Sequence, residues 1–161
     1  MEGRRVSESR TIFTQPMGVT EANVLGNVHG GTIMKMCDEA GAFAAIKHAR
    51  CPVVTVAVDS MSFHSPVNIG NLVTVVAVVS WVGRTSIETR MVVTAEDLMT
   101  GVTTHTNTAY YLYVALNTQG GTAEVPPLIC ETEEEKALFE EGSARQKRRL
   151  ERRERERSID R

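Results

Sequence analysis

Between Val53 and Leu116 the chain carries four long segments crowded with β-branched residues, all downstream of one helical pattern. Few folds accommodate that order. The segments are 53–63, 72–82, 85–95 and 102–116, and their Val, Ile and Thr content suits pleated strands. Gly83-Arg84 supplies a turn that makes the second and third a hairpin, and EDLMTG (96–101) loops the third to the fourth. A shorter strand is expected at 9–15, stopped by Pro16, which has no N–H for a ladder.

The helix is expected from Gly31 to about His48. Ile33, Cys37, Ala40 and Ala44 recur at i, i+4, i+7 and i+11 and form one buried stripe. Its interior positions (Ala40, Gly41, Ala42, Ala44, Ala45) are small, so a sheet can approach closely. About 18 residues make a helix of about 27 Å, and strands of about ten residues reach about 33 Å. The expected architecture is therefore α+β: a long central helix wrapped by a curved antiparallel sheet of about five strands.

Charge divides the chain. Residues 1–144 hold 9 Lys/Arg against 16 Asp/Glu, and residues 145–161 hold 9 against 4. We read residues 1–128 as the folded domain and 129–161 as a charged helical tail. Leu138 and Phe139 are the expected anchors of that tail, and a solvated, frayed helix is expected beyond Arg145. Arg and Glu interleave there without an aromatic to stack on bases, so no nucleic-acid partner is expected. No apolar run approaches the about 18–20 residues of a membrane span, and MEGRRVSESR lacks the apolar stretch of a secretory signal. A cytoplasmic protein without membrane association is expected. Cys37, Cys51 and Cys130 are odd in number and contain no CxxC pair, which argues against a disulfide framework and a zinc cluster.

Chemistry concentrates around the helix start. MGVTEANVLGNVHGG (17–31) is a Gly- and Asn-rich loop containing Asn23, Asn27, His29, Gly30 and Gly31. Free N–H groups at a helix N-terminus can hold a developing oxyanion; a plain helix cap explains the same residues. Asp38 lies two turns in, on the face of Met34, Gly41 and Ala45. Partly withdrawn from water it is a strengthened base; at a solvent-facing edge it is only an exposed charge. Glu39 sits round the helix beside Lys35 and reads as a surface ion pair. Cys37 points into the buried stripe and reads as an inert core thiol. No two histidines have ligand spacing, so no metal is expected, and no GxSxG elbow is present for a serine triad. Arg84, Thr85 and Ser86 gather a cation and two hydroxyls suited to a phosphate, or form an ordinary hairpin turn.

Together these residues resemble the hotdog acyl-CoA thioesterases, in particular the cytosolic/brain branch and its bacterial single-domain relatives. The resemblance is carried by ANVLGNVHGGTIMKMCDEAGA (22–42), FHSPVNIGN (63–71), GRTSIE (83–88) and VPPL (125–128). It runs from about residue 9 to 128; the loop reads TEAN where some relatives have DDAN. The resemblance implies hydrolysis of acyl-CoA to free acid and coenzyme A. It implies that Asn23 and Asp38 form the active pair from opposite subunits, and that Gly31 lies at the helix end that polarises the thioester carbonyl. It places Asn27, His29, Gly30, Ser65, Arg84, Thr85 and Ser86 among substrate-binding positions. It also implies a homodimer, assembled as a trimer of dimers, and no cofactor, coenzyme A being part of the substrate. Asp38 would act as a general base on water or as a nucleophile through an anhydride. The rivals are a non-catalytic acyl-CoA-binding module and a hydratase of the same fold.

Overall fold

The computed structural model describes residues 1–159. Strand β1 (Arg4–Arg5) and a single-turn helix α1 (Val6–Ser9) precede β2 (Thr11–Pro16). Helix α2 (Gly30–Ala49) follows, then β3 (Val53–Phe63), β4 (Leu72–Val82), β5 (Ser86–Glu96), β6 (Thr103–Ala115), β7 (Leu128–Ile129) and helix α3 (Glu133–Ile159). Five strands form one antiparallel sheet in the order β2-β4-β5-β6-β3. The expected α+β architecture is observed, and β3 and β4 occupy the expected residues.

Ile33, Cys37, Ala40 and Ala44 of α2 are all buried against the inner face, with Val73, Val75, Ile87, Met91, Val93 and Tyr113. The small helix residues have a measurable purpose. A Cβ built on Gly41 would lie 2.5 Å from the Tyr113 hydroxyl and 2.7 Å from Thr89 Oγ1. Only glycine permits this separation of helix and sheet.

Two expectations need correction. The first strand starts at Thr11 because Ser9 closes α1: its buried hydroxyl donates to Val6 O and accepts from Val79 N–H. Met34, Phe43 and Ile46 remain exposed on the face of α2 away from the sheet. The tail beyond Arg145 stays helical to Ile159 and is held at Arg149 by Glu88 and Asp59, while residues 151–159 are exposed as expected. Helix α3 lies against the outer face of the sheet, where Gly142 packs on Trp81 and buried Arg145 forms a two-point ion pair with Glu88. Leu138 and Phe139 are only half-buried. Sequence charge suggested solvation because the counter-charge, Glu88, sits on a strand far along the chain.

β3 is an edge strand, bonded only to β6, with register irregularities at Thr55/Ala57 and Val58/Ser60. Val54, Val56, Val58 and Phe63 along it are exposed.

Candidate active site

The loop before α2 is built around Asn23. Its carboxamide oxygen accepts from Leu25 N–H at 2.9 Å and Asn27 N–H at 3.2 Å. Gly26, at φ +80°, permits the tight reversal. The oxygen is thus committed to the loop, and the Nδ2 group is what remains to donate to a ligand. Asn27 bridges to Asn68, and Val28 N–H donates to Val67 O, so the 64–71 segment with half-buried Ser65 packs beside this loop.

His29 caps α2. Its Nδ1 accepts from Gly31 N–H at 3.1 Å, and its carbonyl accepts from Thr32 N–H at 2.9 Å. The Gly31 N–H is therefore not the free donor expected. The adjacent Gly30 N–H has no hydrogen-bond partner among the described residues, and a Cβ there would touch the Phe63 ring at 3.4 Å.

Asp38 is half-buried and specifically held. Oδ1 accepts from Thr55 Oγ1 at 2.7 Å and lies 3.3 Å from the Tyr113 hydroxyl, which also donates to the Asp38 carbonyl at 3.0 Å. Burial, then the neighbouring Asp38 charge, pushes the Tyr113 hydroxyl pKa up, so Tyr113 stays a protonated donor. Oδ2 is left for another partner. Thr55 and Tyr113 escaped sequence reasoning. Both face α2 from adjacent strands in register, and only the strand pairing reveals that.

The other candidates divide. Asp38 stands eight residues beyond Gly30, about 12 Å along the helix axis, and no hydrogen bond joins it to Asn23 among the described residues. Arg84 and Thr85 follow β4 at the Asp38 end of the sheet, next to the row Ile87–Tyr113–Thr55. The Arg84 guanidinium is exposed, 4.0 Å from Glu124. Ser86 opens onto the outer face with Val114, so within one chain it does not face Asp38. Glu39 makes the expected exposed contact with Lys35 at 3.9 Å. Cys37 is fully buried, and burial followed by the Asp38 charge pushes its thiol up to about 12, too high for a nucleophile. No group of three His, Cys, Asp or Glu suited to a metal occurs among the described residues, and no described helix is long and apolar enough to cross a membrane.

Comparison with known proteins assigns this arrangement to a family. The thioesterase superfamily model matches residues 25–102. The cytosolic acyl coenzyme A thioester hydrolase of Rattus norvegicus is 32% identical over 89% of this chain, and the match spans only 38% of that relative's length. A hexameric acyl-CoA thioesterase solved without ligand is 36% identical, with TM-score 0.90, covering 94% of this chain and 97% of its own. The acyl-CoA hydrolase of Staphylococcus aureus, solved with butyryl coenzyme A and coenzyme A, is 30% identical with TM-score 0.89, covering 98% and 96%. That enzyme has also been solved as separate alanine variants of one asparagine, one aspartate and one threonine. The chain belongs to the thioesterase superfamily, among its hotdog-fold acyl-CoA thioester hydrolases.

Proposed function

We propose that the protein hydrolyses acyl-CoA thioesters to a free acid and coenzyme A, in a site completed by a second copy of the chain. The observation that carries this is the Asp38 carboxylate, fixed through Oδ1 by Thr55 and Tyr113 beside the free edge of strand β3. The Staphylococcus aureus variants support the choice of residues. The aspartate replaced there lies fifteen positions after the asparagine, and the threonine seventeen after the aspartate. Asn23, Asp38 and Thr55 have the same intervals.

In the mechanism, Asp38 Oδ2 takes a proton from water as the water oxygen bonds to the thioester carbon. Charge gathers on the carbonyl oxygen, opposite the positive end of the partner's α2 and the N–H of Gly30 of the partner subunit, which the His29 cap leaves free. The tetrahedral intermediate then breaks its carbon–sulfur bond. Coenzyme A leaves as thiolate and collects the proton held by Asp38. Asn23 of the partner subunit donates through Nδ2 to the water or thioester, which answers the axial gap between Asn23 and Asp38 within one chain. Arg84 and Thr85 lie where a nucleotide phosphate can be held, and Asn27, His29 and Ser65 line the loop end.

Pairing of free β3 edges in a homodimer, and three such dimers in a hexamer, fits the hexameric relative. A cytoplasmic location fits the cytosolic name of the rat relative. The test is thiol release from a C2 to C18 acyl-CoA series by wild type and Asp38→Ala. Wild type releases thiol; the variant binds acyl-CoA without releasing it. Wild-type turnover by Asp38→Ala overturns the mechanism, and ligand binding without thiol release by wild type makes the protein a binding module instead.

A further inference from the structure

Helix α3 crosses the outer face of the sheet strand by strand. Gly142 meets Trp81 on β4, Arg145 pairs with Glu88 on β5 and stacks 3.8 Å over Tyr110 of β6, and Arg149 reaches Asp59 on β3. Trp81, Glu88, Leu112 and Ala57 form one row of register across these strands, so α3 runs nearly perpendicular to them and arrives at the middle of β3. It does not stop there. The described helix continues from Leu150 to Ile159, about 15 Å at 1.5 Å per residue, or about three strand spacings of 4.8 Å. Below and beside this stretch lies a groove of about 640 Å³, floored by Val56, Val58, Leu112 and Val114 and walled by Leu150 and Arg153. Val56 and Leu150 are each 51% exposed.

We infer that this groove receives the C-terminal turns of α3 from a second copy, so that two α3 helices lie antiparallel across the paired β3 edges and each covers its partner's sheet. The inference rests on the edge pairing proposed above. A second β3 added antiparallel about its middle puts the two-fold axis half a strand spacing, about 2.4 Å, beyond β3. That distance is one or two helix residues past Arg149, so α3 passes the axis at about residues 150–151. Leu150 and Arg153 share a helix face at i, i+3 and both line the groove.

The test uses the full chain with Arg153→Cys, in a background where Cys37, Cys51 and Cys130 are replaced by alanine or serine, and a short bifunctional maleimide. Sedimentation is run in parallel. A covalent dimer is expected, and Leu150→Asp is expected to raise the dimer dissociation constant about tenfold or more, since each copy loses a buried leucine. An assembled protein that yields no covalent dimer, or whose dissociation constant is unmoved by Leu150→Asp, overturns the α3 exchange and leaves the thioesterase reading standing. A chain that sediments as a monomer overturns both this contact and the shared site.

Discussion

Replacing Gly41 by alanine adds one methyl group at the closest approach of helix and sheet, directly behind Asp38. The new Cβ would stand 2.5 Å from the Tyr113 hydroxyl, 2.7 Å from Thr89 Oγ1 and 3.1 Å from Met91 Sδ. All three neighbours are fully buried, so none can turn out to solvent. Overpacking of this kind costs about 1–3 kcal/mol, offset by about 1 kcal/mol because alanine is the better helix former. The net loss is about 0–2 kcal/mol, a fall in Tm of up to about 8 °C for a chain of this size. Activity should suffer more than stability. The Tyr113 hydroxyl holds both the carbonyl and the carboxylate of Asp38, and its displacement costs about ten- to a hundredfold in kcat. The assay pairs thermal unfolding with thiol release, for Gly41→Ala alone and combined with Tyr113→Phe. Removing the hydroxyl relieves the tightest contact, so the double variant regains part of the Tm but not the turnover. A Gly41→Ala protein as stable and as active as wild type would refute the argument that this packing sets the position of the carboxylate.

Thr55→Ala removes a donor to a charged acceptor and should lower kcat about ten- to a hundredfold with little change in KM, measured by steady-state thiol release. Arg145→Met leaves the wholly buried Glu88 with Arg149 as its one cation beside the Ser80 hydroxyl and should cost about 3 kcal/mol in urea unfolding. The Glu88→Met, Arg145→Met double variant should lose less, because no unpaired charge remains. His48 is buried with Nε2–H donating to Pro126 O at 2.8 Å, and burial, with smaller opposing effects of its neighbours, lowers its pKa below the ordinary 6.5. The unfolded chain therefore binds this proton more readily than the folded one, and the stability it lends is full above about pH 6.5 and declines as pH falls toward the lowered value. A Tm that shows the same acid decline in His48→Gln would exclude His48 as its source.

The long strands were legible because β-branched density and turn residues are local signals, and β3 and β4 read true to the residue. The buried stripe of α2 was legible for the same reason, since periodicity survives without knowledge of the partner surface. What escaped was relational. Thr55 and Tyr113 meet Asp38 only through the β3–β6 register, with its irregularity between Thr55 and Ala57, which no propensity encodes. The fate of the Gly31 N–H depended on the rotamer of His29. The docking of the tail was missed because Arg145 and Arg149 count as solvated until Glu88 is brought beneath them. Helix α1 is a single turn, too short to carry any period.

The ion pair under α3 also orders events in time. Glu88 emerges during synthesis 57 residues before Arg145, the guanidinium that neutralises it. Until that later stretch arrives, a bare carboxylate sits in the middle of a finished-looking sheet, where water must be retained to solvate it. Closure of the outer face is thus deferred until α3 has been made, and a message broken shortly before codon 145 yields a product whose strands pair but whose surface cannot dry.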